Sequence, residues 1–535
     1  MGNISAWSQD YCRDVFTRLV NSVSNVYSAK PTLTIVPSDY LVAETYSTGE
    51  IKVGSRLVDL CRRFGKDSTN AMAHILSHEL AHFYQNHAWI SNFTSAYASV
   101  EWSRKLNESE QELLPVYETQ ADEMGFFYSL NAGFESWRVA APLLDSIYVW
   151  YQLPAELPGY PPLEQRKKIT SAAKDKVSSL IPVFRIANYF TLMGKYFPGE
   201  TQYVYYESAG YCLDHLVHEN IKTPNVLNNL GVIYFLQAQP YFYSPLNKLL
   251  YPFILDDNSS SIDMSEIVGT KGLTPSSEDL AAEAIDLLEK SKDAFTQALK
   301  GNKKYIPANI NIAMVHFLLK EEGSLADKLK TIQTLIKDQD SFLSVYYQLE
   351  AFGYYLKGDA KKMNDSFKRA IKLKDNSALL NNQYLNNTTS NTDEAMGMLK
   401  WPVDTAEKIF GKTVNSFFKD YRSSQDTRLD PYHQKFILWT QKKDGGTIYT
   451  FRSLFSQTIY RDVMFFEVED LNFNTSAGVQ LNTHADKVQK IYGNPFFKNV
   501  SASTDQYLYP SQSMIITVNH DSQLVTGIMY YGMKK

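Results

Sequence analysis

The spacing of apolar side chains divides this chain of 535 residues into stretches of different period. Pro31-Thr32-Leu33-Thr34-Ile35-Val36 reads as a strand. Met72, Leu76, Leu80 and Phe83 then recur at helical spacing, with Asp67 or Ser68 as the N-cap. Tyr117, Ala121, Met124 and Tyr128 supply the stripe of another helix. From about residue 176 to 395 the pattern is helical and repetitive. Its units are Leu227, Leu230, Gly231 and Tyr234, then Phe295, Ala298 and Leu299 before Pro307. A third runs through Tyr347, Ala351 and Tyr354, turns at Gly358-Asp359, and continues with Phe367, Ala370 and Ile371. Small residues at these places let paired helices approach, and the aromatics fill the groove between them. Generic antiparallel helices without superhelical stacking are the other reading.

Two segments depart from that rhythm. Residues 239–279 are rich in Tyr, Phe and Pro and pass into Asp256-Asp257-Asn258-Ser259-Ser260-Ser261. About forty residues without clean periodicity are too many for an ordinary loop, and predict a lid, a partner-docking segment or a mobile insertion. Asn381 to Asp393 is polar and predicts a linker. Beyond it the period falls to two. Phe436–Trp439 and Thr447–Phe451 flank Asp444-Gly445-Gly446, a hairpin signal. A strand at Val463–Val468, a helix through Val488, and strands at Met514–Val518 and Leu524–Tyr530 follow.

The chemistry is concentrated in His78-Glu79-Leu80-Ala81-His82, a match to H-E-x-x-H. By composition, one such match in a chain of this length has about a one per cent chance. On an α-helix, positions i and i+4 lie about 40° apart around the axis and one turn apart along it. His78 and His82 therefore grip one ion while Glu79, beside the open coordination position, serves as the base. Catalytic zinc takes three protein ligands and leaves a fourth position for water. Glu118, thirty-six residues after His82, is the natural third. Asp122 lies one turn further on the same face, where it can accept the free ring N–H of a ligand histidine. His74 and His87 are read as neighbours of the site rather than ligands, because the zinc is already full.

H-E-x-x-H, His87 five residues on, and Glu118-Thr119-Gln120-Ala121-Asp122 together resemble the gluzincin peptidase family of the heat-shock protease HtpX and the CAAX prenyl proteases. The layout is similar to the soluble BepA-like branch, which adds tetratricopeptide repeats. In that resemblance, Ala43 to Val53 corresponds to a small-residue turn and edge strand, and Arg56 to Phe64 to a short helix before the zinc helix. Pro161-Pro162-Leu163-Glu164-Gln165-Arg166 resembles the family's His-Pro-x-x-x-x-Arg segment, with Tyr160 standing where the histidine is found. The resemblance implies a multidomain, mainly α chain: a gluzincin α+β peptidase domain over 1–175, a tetratricopeptide-like helical domain over 176–395 with the insertion at 239–279, and a small α+β domain over 396–535. It implies one Zn2+ per chain on His78, His82 and Glu118. Catalysis would fall to Glu79, helped by Arg166 or Tyr160, on an extended polypeptide substrate added to the strand at Ile51–Val53. The repeats would dock substrates or protein partners, in keeping with protein quality control. The C-terminal order of helix and hairpin resembles the small modules of outer-membrane assembly lipoproteins and β-lactamase-inhibitor proteins, which implies a binding or scaffolding role.

Composition narrows the alternatives. A net charge of −5 and a pI near 6.1 argue against nucleic acid as the main partner. No apolar stretch reaches the length of a membrane span. The family implies the periplasm or cell envelope if a leader has been removed, and the cytoplasm if the chain is complete as written. Cys12, Cys61 and Cys212 are too few and too scattered for a disulfide framework. His215-Leu216-Val217-His218-Glu219 has the wrong order for a zinc motif and predicts a solvated or capping pair. The rival reading is a chaperone or assembly scaffold whose zinc site is structural or held latent by the insertion. The intact Glu79 argues against it, since a structural site has no use for that carboxylate.

Overall fold

The computed structural model describes residues 6–22, 31–38, 42–84, 116–156, 161–196, 200–218, 224–257, 280–337, 340–386, 407–419, 435–454, 462–520 and 522–534, apart from one- or two-residue gaps inside these ranges. Tyr160, His87 and residues 258–279 lie outside them. The protein is mainly helical and multidomain, with a β-rich C-terminal region.

The N-terminal part packs α1 (Ala6–Ser22), α2 (Ser55–Arg62) and α3 (Ser68–Tyr84) with a three-stranded sheet of β1 (Thr32–Val36), β2 (Ala43–Thr45) and β3 (Glu50–Gly54). α3 begins at Ser68, and Asp67 just before it accepts from the Asn70 side chain. The expected stripe of Met72, Leu76, Leu80 and Phe83 is buried, together with Leu57, Val58 and Cys61 of α2. The strand order is β1-β3-β2, with β1 parallel and β2 antiparallel to β3. Ile51–Val53 is therefore in the central strand, fully paired on both sides, and is not the edge that the sequence suggested. Its alternating burial, with Ile51 and Val53 inside, shows that one face of the sheet packs on the core. Among the described residues β2 pairs only with β3, so β2 is the edge nearest the motif helix.

After helical residues at 116–122 and 124–126 come α4 (Ala140–Trp150) and the long α5 (Leu163–Tyr196). α5 runs unbroken through residue 175, the expected domain boundary, so Arg166 near its start and Phe190 near its end belong to one helix. Helix pairs follow: α5 with α6 (Glu200–His218), α7 (Pro224–Ala238) with α8 (Ala282–Gly301), α9 (Ile306–Leu318) with α10 (Glu322–Leu335), and α11 (Leu343–Leu356) with α12 (Ala360–Lys372). α13 (Asn376–Leu385) closes the array. The close approach within pairs has a visible cause: a Cβ at Gly231 would stand 2.6 Å from the Phe295 ring. Gly358 supplies the left-handed turn (φ +68°) before Asp359, whose side chain caps α12 by accepting from Lys362 N–H. The polar stretch expected as a linker begins inside α13, where Asn381 is fully buried.

The described part of the insertion, 239–257, is no loose loop. Leu249, Tyr251, Phe253, Ile254 and Leu255 are all buried in the core of the helical array.

In the C-terminal part a short hairpin, β4 (Lys408–Ile409) and β5 (Lys412–Thr413), precedes α14 (Val414–Lys419). A seven-stranded antiparallel sheet follows: β6 (Phe436–Lys443), β7 (Gly446–Ser453), β8 (Asp462–Val468), β9 (Phe497–Val500), β10 (Thr504–Tyr509), β11 (Met514–Asn519) and β12 (Val525–Lys534). Its order is β6-β7-β8-β12-β11-β10-β9. The β6–β7 turn is at Gly445 (φ +81°), as the hairpin signal required. β9 and β10 carried no clear sequence signal. α14 and α15 (Ala485–Tyr492) cover one face of the sheet. The other face joins the helical core: the Tyr189 and Phe465 rings stack at 5.6 Å, and Phe190 meets Phe451 edge-on at 4.6 Å. His215 is buried here beside Phe436, not solvated or capping as its sequence suggested. No described helix is long and apolar enough to cross a membrane.

Candidate metal centre

α3 presents His78 and His82 one turn apart, and the helical residues at 116–122 lie across from them. The Nε2 atoms of His78 and His82 are 3.1 Å apart. Glu118 Oε2 lies 3.4 Å from His78 Nε2, and Glu118 Oε1 lies 3.3 Å from His82 Nε2. Metal–ligand bonds of zinc length at tetrahedral angles place ligand atoms about 3.3–3.5 Å from one another. The three side chains thus supply a triangle of the size that one tetrahedral ion needs. Among the described residues they are the one cluster of histidine, cysteine or carboxylate groups arranged to hold a metal. Glu118 Oε2 is buried and accepts no hydrogen bond of normal geometry, which fits a ligand atom better than a structural carboxylate. Two nitrogens and a carboxylate oxygen are a donor set that suits zinc.

Behind the ligands, Asp122 Oδ1 lies 2.9 Å from His78 Nδ1, a close contact that is not aligned as a linear hydrogen bond. A carboxylate there favours the tautomer with its proton on Nδ1, leaving the Nε2 lone pair facing Glu118 and His82. Asp122 is itself gripped by Arg166, whose Nε donates to Oδ2 at 2.9 Å and whose Nη2 donates to Oδ1 at 2.7 Å. Burial penalises the Asp122 charge, yet Arg166 and His78 hold its carboxyl well below the usual range. Burial likewise opposes a charged His78, but Asp122 and Glu118 raise it to about 10. The same pairing, again against burial, lowers Glu118 to about 2. A divalent ion would take the place of that proton as the positive charge between the two carboxylates.

Glu79 is fixed from the sheet. The Thr45 hydroxyl on edge strand β2 faces Glu79 Oε2 at 2.7 Å and the Glu79 backbone carbonyl at 2.9 Å. His74 is buried 5.2 Å from the Phe126 ring, and burial lowers it to about 4, so it is a neutral packing group.

The structure therefore brings together His78, His82, Glu118, Glu79 and Asp122. Arg166 reaches the cluster through Asp122; its observed bonds are those of a positioning residue, not of a group aimed at a substrate carbonyl. Tyr160 and His87 lie outside the described residues. Sequence reading missed Thr45, a strand residue with no motif of its own. It also missed Gly125, where a Cβ would stand 2.9 Å from the His78 amide nitrogen. A glycine within a helical apolar stripe was the available signal. No family model matches the chain, and none of the curated proteins matches it significantly.

Proposed function

We propose that this protein is a zinc-dependent endopeptidase of gluzincin type, acting on polypeptide substrates. The observation that carries the proposal is the His78–His82–Glu118 triangle with Glu79 held beside it by Thr45. A structural site needs a fourth protein ligand and no adjacent base; here three ligands and a positioned carboxylate occur together.

Bound zinc would acidify a water in its open position and polarise the scissile carbonyl. Glu79 takes the proton of the attacking water and delivers it to the leaving amine. Thr45 restrains the Glu79 carboxylate, so less of its freedom is lost as the reaction proceeds. Asp122 and Arg166 hold the His78 ring so that its Nε2 would face a bound ion. The substrate is an extended strand that adds to the side of β2 left unpaired among the described residues, its backbone supplying affinity without regard to sequence. The helix pairs, read as tetratricopeptide-like, present or restrict substrates, and quality control of unfolded chains is the role this arrangement suits.

Zinc content and cleavage of an unfolded model protein, measured for wild type beside Glu79→Gln, test the reading. One zinc per chain in both, with cleavage in wild type alone, is the expected result. Zinc in both and cleavage in neither favours the scaffold reading, and no zinc in either removes the proposal.

A further inference from the structure

The helical array contains a second site, built from asparagines. Asn188 on α5, Asn228 and Asn229 on α7, Asn311 on α9 and Asn381 on α13 are all nearly or fully buried. Buried amides must be satisfied, and each of these is satisfied by the backbone of one extended segment, 249–257. Asn381 accepts from Leu250 N–H at 2.8 Å and donates to Leu250 C=O at 3.0 Å. Asn311 makes the same pair of bonds with Ile254, at 2.8 and 2.7 Å. Asn229 does so with Asp256, at 2.9 and 2.8 Å. Asn228 and Asn188 add donations to the Ile254 and Asp256 carbonyls.

The register explains the pattern. A side-chain amide carries one acceptor and a donor group, matching the C=O and N–H that one residue of an extended strand shows on one side. Residues two apart show them on the same side. The clamped residues are 250, 254 and 256; the absent rung is Pro252, which has no N–H to give. The amides also brace one another, with Asn311 donating to Asn228, Asn228 to Asn229, and Asn229 to Asn188. None of these bonds reads a side chain of the segment. Selectivity is left to the apolar positions Leu249, Tyr251, Phe253 and Leu255, all buried, and to the Asp256 and Asp257 carboxylates, which accept from Tyr305 and from Ser501 and Thr504 respectively.

We propose that this asparagine-lined groove is a receptor for an extended polypeptide and that residues 249–257 are its tethered resident ligand, exchangeable for a strand of another chain with similarly spaced apolar side chains. This deepens the reading that the array docks polypeptides, and does not depend on the metal centre.

The test uses the full chain carrying Glu79→Gln, so that hydrolysis plays no part. The probe is a labelled peptide of sequence LLYPFILDD, residues 249–257. Replacing Tyr251 and Phe253 by Ala weakens the resident segment and leaves the asparagines in place. The peptide is expected to bind this variant at least tenfold more tightly than the unaltered groove, and adding Asn311→Ala to abolish the gain. A folded variant that gains no peptide affinity overturns the proposal. Hydrogen exchange in the otherwise unaltered chain decides independently of how the variant folds. Exchange of the Ile254 and Asp256 amides at least tenfold faster than the core of α7 and α9 supports an exchangeable ligand; exchange in step with those helices makes the segment a fixed part of the core.

Discussion

Gly125 lies directly against the backbone of His78: a Cβ there would fall 2.9 Å from the His78 nitrogen and 3.0 Å from its Cα. Backbone atoms cannot swing aside as a side chain can. Gly125→Ala must therefore push the Glu118 and Asp122 segment away from α3, at about 1–3 kcal/mol of overpacking strain. Zinc affinity should fall at least tenfold in a competition titration, with a lower melting temperature. Unchanged zinc affinity would show that the two segments can part without opening the ligand triangle.

The Thr45 hydroxyl lies within hydrogen-bond distance of the Glu79 carboxylate and of its backbone carbonyl. Thr45→Val keeps the shape and removes the hydrogen bond. Zinc binding is expected to stay within about twofold of wild type while kcat falls, by less than the roughly 10²- to 10⁴-fold that the general base itself contributes. Rescue by Thr45→Ser separates loss of the hydroxyl from disturbance of the strand.

Asp122 lies against Nδ1 of the proposed ligand His78 and is itself held by Arg166. Asp122→Asn leaves Arg166 buried without its anion and weakens the hold on His78 Nδ1. Loss of such a supporting carboxylate costs about 10- to 100-fold in metal affinity. Arg166→Lys cannot reproduce the two-pronged grip on Asp122 and is expected to shift zinc affinity in the same direction, by less. A change in kcat with no change in zinc affinity would instead return Arg166 to the reacting centre.

The candidate metal cluster was legible in the chain because helix geometry ties spacing to space: His78 and His82 at i and i+4 can face one ion, and the turn from Glu118 to Asp122 faces the same way. The strand that fixes Glu79 was not legible in this way. Which of β1, β2 and β3 lies at the edge depends on pairing order, which the sequence of a three-residue strand does not encode. The resident segment was hidden for a related reason. Asn228, Asn229, Asn311 and Asn381 interrupt apolar helix faces, an oddity that announces buried polar groups but not their partners. The boundary expected at 175 falls inside α5, and an unbroken helix leaves no mark where one core gives way to the next.

His316 on α9 is buried, with Nδ1 2.5 Å from Glu321 Oε2, and Lys292 donates to Glu321 Oε1 at 2.6 Å. Burial lowers the His316 pKa despite Glu321, helped by the charges of Lys292 and Lys328. Against its own burial, the bonds from Lys292 and His316 lower that of Glu321. A group with a depressed native pKa stabilises the fold above its unfolded pKa and loses that contribution as pH falls. For His316 the loss begins near pH 6.5, and Glu321 adds to it below about 4.5. The melting temperature of wild type should therefore drop between pH 7 and pH 5, and His316→Gln should flatten the drop. Parallel slopes for the two proteins would assign the acid sensitivity elsewhere.

Arg185 on α5 and Glu467 on β8 join the helical array to the C-terminal sheet. Arg185 Nη1 donates to both Glu467 oxygens, at 2.9 and 2.8 Å, and the Tyr449 hydroxyl donates to Oε2 at 2.7 Å. The Arg185 side chain is 35% exposed and that of Glu467 17%, so water weakens the pair and the full cost of a buried ion does not apply. Arg185→Met should cost no more than about 1.5–3 kcal/mol, the range for hydrogen bonds to a charged group. The shared apolar core around Phe190, Phe451 and Phe465 makes array and sheet one cooperative unit, so calorimetry should show their single transition shifted down. A new, separate transition in the variant would mean that the sheet folds independently and that the ion pair, rather than the aromatic core, couples the two.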